Sequence, residues 1–354
     1  MAPLNIGIIG CGKIAQVRHI PEYAANPLAR LYGFFDRSRD RAAQAAAVAP
    51  GAVVYDSWRT LLDDPAIDAV SICTANTSHA EIAIEALKAG KHVLLEKPMA
   101  TTLDDCERVV EAAQSSGCLL MIDHNQRFTK AHQLARNLFQ AGAIGELVTF
   151  RTTFGHGGPE TWSVDPGPNT WFFDANQTTM GAIGDLGVHK TDLLHFLTGH
   201  RITEVRAQLA TLEKRNENGQ PIPVDDNAIA IFTLSSGAIG TMMASWSFHG
   251  AEDNSTALYG KSGMITIYGD PDYQVVVTRP DREPERHTVE PMQTNDHQTA
   301  SGVIDAFLAA ISEGLPSPVS GEEALVAMRA VFAAMESSRT GLTVSIPENQ
   351  KEDV

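Results

Sequence analysis

The sequence predicts two domains, an α/β domain over residues 1–123 and an α+β domain over 124–354. Two observations carry this. Residues 4–123 alternate between short apolar runs and Ala-rich stretches of helical period, which is the grammar of a parallel sheet with helices on both faces. After residue 123, strand patterns follow one another through Gly-containing turns, the grammar of a large, mainly antiparallel open sheet. A chain of 354 residues is long enough for two cores.

The first strands are expected at 4–9 (LNIGII), 30–35 (RLYGFF), 67–73 (IDAVSIC), 91–95 (KHVLL) and 118–122 (CLLMI). Helical periods fill 12–25, 38–49, 78–89 and 103–116, with Ser78 and Asp104 as candidate N-caps and Gly90 and Gly117 as candidate C′ residues. In the second domain a helix at about 129–141 leads to a strand from about 146. A Gly/Pro/Asn/Thr-rich loop follows over 155–181, longer than structural connections usually are. A helix at about 182–197 precedes strands at 203–213, 224–235, 238–249, 255–260, 263–269 and 273–279. Helices at about 297–313 and 321–339 come last, and the polar tail Glu348–Val354 is expected to fray.

A net charge of −16 disfavours nucleic acid or an anionic membrane surface as partner, because phosphate contacts need clustered Lys and Arg. No window approaches the roughly 18 apolar residues of a membrane helix, and the N-terminus enters a strand pattern directly, without the regions of a signal peptide. Cys11, Cys73, Cys106 and Cys118 lie far apart in or beside apolar runs, so reduced buried thiols and a cytoplasmic setting are expected.

The first run leads into Gly10-Cys11-Gly12-Lys13-Ile14-Ala15, a GxGxxA pattern at the opening of a helix. Gly10 permits a tight turn, Gly12 lets backbone approach a pyrophosphate, and Ala15 allows close helix–strand packing. Asp36, about twenty residues past the loop, stands where a carboxylate holds ribose hydroxyls. Together these predict a Rossmann dinucleotide site that includes Gly10, Gly12, Lys13, Ile14, Asp36 and Arg37. Asp36 favours NAD because it would repel a 2′-phosphate; Arg37 beside it offsets that in part, so NADP is disfavoured.

In an open parallel sheet, ligands sit beyond the carboxyl ends of the strands. Thr74, Asn76 and His79 follow one such end in "SICTANTSHAEIA", and Glu96 and Lys97 follow the next in "LLEKPMA". These five are therefore further site candidates, with Pro98 fixing the backbone just after Lys97.

"GIIGCGKIA", "ICTANTSHAEIAIEALKAGKHVLLEKPMA" and "GAIGDLGVHKTDLLHFLTG" resemble the signature segments of the Gfo/Idh/MocA oxidoreductase family, which includes inositol dehydrogenases and glucose-fructose oxidoreductases. The similarity spans nearly the whole chain, and the EKP segment is its most specific part. The resemblance implies that Lys97 is catalytic and that substrate lies between the nicotinamide and the second domain's sheet. It also implies that this sheet forms a homodimer or homotetramer interface.

In the third segment Asp185, His189 and Asp192 are spaced four and three apart, on one face of a helix. Asp185 and His189 match the Asp and His that accompany the lysine in inositol-dehydrogenase-like members, and Asp192 matches a residue near substrate. No metal is expected, since hydride chemistry needs none and no further ligand is evident. His189 is the expected general base, Asp185 its orienting partner and Lys97 the stabiliser of the reacting oxygen. Lys97 serves as base instead if burial lowers its pKa.

Asn125 and Arg127 in "MIDHNQRF" resemble positions that meet cofactor and substrate, although Arg127 is equally a salt-bridge residue. His156, Trp162, Asn169 and Trp171 on the long loop suit a sugar ring, and His249 and Glu252 in "SWSFHGAEDNST" are weaker candidates. The segment before Asp185, "FDANQTTMGAIGD", departs from the "GGG" of many relatives, which leaves its turn open.

The expected activity is NAD-dependent oxidation of a secondary alcohol of a sugar, sugar derivative or cyclitol. Two rivals remain: a glycosidase using transient oxidation on held NAD⁺, and a dinucleotide-sensing regulator without chemistry. An intact Lys97 with Asp185 and His189 argues against the latter.

Overall fold

The computed structural model describes residues 2–292 and 299–347. These form two compact units. The first takes in residues 2–128, 159–179 and 299–325, and the second residues 129–158, 180–292 and 326–347. The expected fraying tail from Glu348 lies outside the described residues.

The first unit holds a six-stranded parallel sheet of β1 (Leu4–Ile9), β2 (Ala29–Phe35), β3 (Val53–Val54), β4 (Ala69–Ile72), β5 (His92–Leu95) and β6 (Leu120–Ile122). Its order, β3-β2-β1-β4-β5-β6, reverses direction at β1 and β4, the topological switch point where dinucleotides bind in such sheets. Ile6, Ile8 and Ile9 of β1, Val70 and Ile72 of β4 and Val93–Leu95 of β5 have no exposed surface, as expected for strands covered on both faces. The sequence reading did not anticipate β3, a two-residue edge strand pairing with Gly33 and Phe34 and too short to show periodicity.

One N-cap expectation is corrected, and the other, Ser78, holds in position but without a capping bond. The helix Leu103–Ser116 is capped by Thr102, whose hydroxyl accepts the Asp105 N–H, and Asp104 falls in the first turn. Before the helix His79–Lys88 a 3₁₀ turn, Asn76–Ser78, holds Ser78 in helical geometry, and its side chain makes no cap bond. Gly90 and Gly117 do take positive φ at the ends of these helices.

The second unit holds a nine-stranded mixed sheet. Its strands are β7 (Leu147–Gly155), β8 (Ile202–Ala210), β9 (Asn227–Leu234), β10 (Ile239–Ser245), β11 (Thr256–Gly260), β12 (Gly263–Ile267), β13 (Val275–Arg279), β14 (Arg282–His287) and β15 (Val344–Ser345). The order is β14-β13-β12-β11-β7-β10-β9-β8-β15, and every pair is antiparallel except β7 with β10. The α/β plus α+β expectation therefore holds.

β8 stops earlier than the expected 213, and the cause is Asp226. Its carboxylate takes the N–H groups of Leu212, Glu213 and Lys214 at 2.7–2.8 Å, drawing that backbone away from the ladder. β14 and β15 escaped the sequence reading because one is polar apart from a proline and has no apolar alternation, and the other is two residues long. The helix expected over 297–313 begins at Val303, behind Gly302 with φ 79°; residues 297–298 lie outside the described residues. No helix among the described residues is long and apolar enough to cross a membrane.

Candidate active site

In the first unit β1 delivers the chain to Gly10, which has φ 91°. A Cβ there would stand 2.6 Å from the Cys73 carbonyl oxygen, so the loop lies tight against the residues following β4, and only glycine fits. Gly12 faces the other way: a Cβ on it would meet nothing within 4 Å. The helical segment opens at Lys13 and Ile14, both half-buried, and Ala15 is fully buried, as close helix–sheet packing requires. Its next turn, Ala15–His19, is a π-helix.

Asp36 stands immediately after β2. One carboxylate oxygen accepts the Cys11 N–H and the other the Ser38 N–H, each at 2.8 Å, which fixes the acid beside the glycine loop. Arg41 approaches it at 3.7 Å and holds both oxygens of Asp165 at 3.0 Å. The exposed Arg37 donates to Gln177 at 2.8 Å, Asn76 to the Thr178 hydroxyl at 3.0 Å, and Thr77 to the Asn176 carbonyl at 3.2 Å. Residues 159–179 are thus tied to the carboxyl ends of β2 and β4, by two side chains the sequence assigned to cofactor. Within this segment Trp171 stacks on Phe172 with centroids 3.9 Å apart, and Trp162 meets the same ring edge-on at 5.3 Å.

The donor set fits a dinucleotide. Gly12 leaves its face open, and Asp36 sets a carboxylate beside the glycine loop. The Thr74 hydroxyl and the Asn125 amide oxygen are buried and have no hydrogen-bond partner among the described residues, as groups awaiting a polar ligand would be.

Lys97 is half-buried just past β5. Its N–H donates to the Glu96 carboxylate at 3.1 Å, and the Lys97–Pro98 peptide bond is cis. His79 is buried with its ring nitrogens 2.8 Å from the Pro98 carbonyl and 3.0 Å from the Thr74 carbonyl, and the single N–H of the neutral ring donates to one of the two. Burial lowers its pKa, with Lys97 adding to that effect. Glu96 turns inward to Arg18 and His19. Arg127 is buried and pairs with Glu323.

In the second unit a π-turn, Ile183–Gly187, runs into the helix Val188–Thr198. Asp185, His189 and Asp192 on it are all buried. The widened turn suits a functional site, since π-bulges concentrate at such places. The Trp246 indole N–H donates to Asp185 at 3.1 Å. The Phe154 ring of β7 collects three groups: His189 at 5.8 Å, His156 edge-on at 5.9 Å and the Lys190 ammonium at 5.7 Å. His249 lies on the surface, paired with Glu213 at 2.9 Å. Glu252 is largely buried, and burial raises its pKa.

The turn left open by the missing glycines is now defined. Thr179 takes φ 63°, a conformation that favours glycine, and Gly181 packs so closely on Asp225 that a Cβ would overlap the Asp225 carbonyl oxygen. The Asp225 carboxylate accepts the Gly181 N–H at 2.9 Å and the Ile183 N–H at 2.8 Å. It satisfies donors at the start of the Asp185 helix that the helix cannot pair itself. Trp246, Asp225 and Lys190 are positioning groups the sequence reading missed. The acidic doublet before β9 was their one visible signal.

Residues 4–124 match the model of the oxidoreductase family with an NAD-binding Rossmann fold, and residues 132–266 match the model of the GFO/IDH/MocA C-terminal domain. The chain belongs to the Gfo/Idh/MocA oxidoreductase family. This Gfo/Idh/MocA oxidoreductase is 32% identical over 299 residues to levoglucosan dehydrogenase of Pseudarthrobacter phenanthrenivorans, covering 75% of this chain and 74% of that one. Over 345 residues it is 26% identical to myo-inositol 2-dehydrogenase of Thermotoga maritima, covering 98% and 99% of the two chains. A solved structure of levoglucosan dehydrogenase in complex with NADH and levoglucosan superposes with a TM-score of 0.86 at 27% identity, covering 98% of this chain and 100% of that one.

Proposed function

We propose that this oxidoreductase oxidises a secondary alcohol of a sugar, sugar derivative or cyclitol, with NAD⁺ preferred over NADP⁺. The observation that carries the reading is the buried Asp185–His189 pair on one helix, in a chain that also keeps Lys97 past a Rossmann strand end. The relatives' substrates, levoglucosan and myo-inositol, set the class.

Bound NAD⁺ would supply the acceptor for the hydride of the carbinol carbon. Gly10, Gly12, Lys13 and Ile14 would present backbone to its phosphates, Asp36 would take ribose hydroxyls, and Thr74 and Asn125 would offer the polar atoms that have no partner among the described residues. His189 removes the hydroxyl proton, suited by an imidazole's capacity to exchange protons near neutral pH. Asp185, oriented by Trp246, supports the imidazolium. Lys97 donates to the reacting oxygen and stabilises its developing charge. Asp192, Arg127, His156, Trp162 and Trp171 are proposed to shape substrate binding. Asp36 is the basis for the NAD preference, through repulsion of a 2′-phosphate.

We propose assembly into a homodimer or homotetramer through the open face of the second unit's sheet. Val148, Ile229, Ile231 and Ile239 stand about half exposed there, an apolar set that a second copy would cover. The four cysteines are free thiols, which is the basis for proposing a cytoplasmic setting.

The test is NADH absorbance across a panel of polyols and sugars, followed by Lys97→Ala and His189→Ala with NADH binding measured separately. Substrate-dependent NADH growth that both substitutions abolish, with cofactor affinity retained, supports the reading. Near-normal turnover in both variants, or product release without net NADH, overturns it.

A further inference from the structure

The first unit contains a buried charge cluster for which the chemistry above has no use. Arg18 and His19 on the π-turn, Glu96 after β5 and Asp123 after β6 have side chains at most 7% exposed. Arg18 lies 3.0 Å from Asp123 and 3.5 Å from Glu96. His19 Nε2 lies 3.1 Å from Glu96 and 3.4 Å from Asp123, while its Nδ1 is 3.2 Å from the Ser71 hydroxyl, itself 2.8 Å from the Tyr23 hydroxyl.

The His19, Glu96 and Asp123 ligand-type atoms lie within 4.8 Å of one another, close enough to hold a metal ion. Arg18 already brings a cation to both carboxylates. Buried charges persist only when paired, and two carboxylates with one guanidinium leave one negative charge over. A protonated His19 makes the sum over these four groups zero; Glu22, which also faces Arg18, takes its hydrogen bonds from the Ser301 N–H and hydroxyl instead. Both Glu96 oxygens face hydrogen-bond donors, Oε1 the His19 and Arg18 groups and Oε2 the Lys97 N–H. Burial and Asp123 raise the Glu96 pKa, opposed by His19 and Arg18; a carboxylate whose two oxygens both face donors suits the ionised form, which puts the proton of the His19–Glu96 pair on the imidazole.

The geometry points to His19 as a positioning residue for Lys97, acting as a buried imidazolium that fixes the Glu96 carboxylate which in turn holds the Lys97 backbone N–H. This rests on the proposed role of Lys97. The chain Tyr23–Ser71–His19–Glu96–Lys97 links the first helix through β4 to the strand end where Lys97 stands. Arg18 and Asp123 keep its charges balanced.

The groups facing His19 are Arg18 and Tyr23 on its own helix, Ser71 and Cys73 at the end of β4, and Glu96 and Asp123 after the next two strands. Burial favours the neutral ring, but Cys73 and hydrogen bonds to Asp123, Cys73 and Glu96 outweigh it, and the pKa stands well above the ordinary value. A base with a raised folded pKa stabilises fully below its ordinary pKa and loses that contribution as pH rises through the raised value.

The test uses the full chain. In spectra of ¹⁵N-histidine-labelled protein, His19 is expected to stay doubly protonated at pH 7.5; a neutral ring overturns the proposal. In His19→Gln, kcat for the best substrate of the panel is expected to fall at least tenfold while the NADH Kd stays within threefold; in a second variant, Glu96→Gln, kcat is expected to fall likewise. Hydrogen exchange at the Lys97 amide is expected to speed up at least tenfold. Turnover within twofold of wild type in a folded His19→Gln protein, with Lys97 exchange unchanged, overturns the proposal. Lys97→Ala separates the two claims. If it retains turnover, the proposed role of Lys97 fails, while the His19 protonation state and Lys97 exchange still decide whether the cluster holds that backbone.

Discussion

The indole N–H of Trp246 donates to the Asp185 carboxylate at 3.1 Å, and Trp246 has no exposed surface. An indole nitrogen only donates, so it selects an accepting oxygen and one rotamer of the acid. Trp246→Phe keeps most of the ring and removes the donor. Hydrogen bonds to charged groups contribute about 1.5–3 kcal/mol, so kcat/KM should fall roughly 10- to 100-fold. The effect should appear in kcat rather than in the NADH dissociation constant, because Trp246 belongs to the unit without the glycine loop. Steady-state kinetics with a direct NADH titration checks this.

Cofactor choice should follow the charges after β2. Asp36→Ser removes the carboxylate that would face a 2′-phosphate, and Arg37 and Arg41 remain beside it. The NADP⁺/NAD⁺ ratio of kcat/KM should rise at least tenfold, equivalent to about 1.4 kcal/mol. Asp165→Asn releases Arg41 from its ion pair and should raise the ratio further in the double variant. Since that pair is surface-exposed, the melting temperature should barely change.

The Asp225 carboxyl has its pKa raised to about 6; burial is the main cause, opposed by the N–H groups of Ile183 and Gly181. Between pH ~4 and ~6 the folded chain therefore holds a proton that the unfolded chain releases, and stability from this group falls as pH rises through that window. In Asp225→Asn this dependence should vanish, and one of the two bonds to the Gly181–Ile183 backbone is lost. A cost of about 1–2 kcal/mol at pH 7 is expected, with a larger loss of turnover because the Asp185 helix starts there. Denaturant titrations at pH 5 and pH 7 measure both.

Lys190 is fully buried, donates to the Asn254 carbonyl at 3.0 Å, and has its pKa lowered to about 7 by burial against the opposing pull of Asp253 and Glu252. From pH ~7 to its ordinary pKa near ~10.5, the unfolded chain binds a proton that the folded chain lacks. Stability from this group therefore rises with pH across that range, by up to about 1.4 kcal/mol per unit. Lys190→Met should remove that slope. The difference in unfolding free energy between wild type and variant, followed from pH 7 to 10, should move steadily in favour of wild type.

Much of this was legible in the sequence. The strands β1, β2, β4, β5 and β6 stood out as apolar runs because strands buried on both faces have no polar alternation to blur them. Gly10, Gly12 and Asp36 were legible because their spacing reflects one strand–turn–helix geometry. The short edge strands were not, since two residues carry no period. Thr102 displaced Asp104 as cap because either residue type can cap a helix, and the backbone angle where the helix starts decides between them.

By itself, the sequence determined the two-sheet architecture and the glycine turn after β1, and it singled out Lys97, Asp185 and His189 as candidates, because periodicity and short-range spacing are local properties. Tertiary structure alone decided what surrounds them: Trp246 against Asp185, Asp225 under Gly181, Asp165 on Arg41, and His19 with Glu96. Those partners lie between 44 and 124 residues apart along the chain. Long-range pairing of buried charge and hydrogen-bond donors depends on where the folded backbone brings them, and no local pattern encodes that.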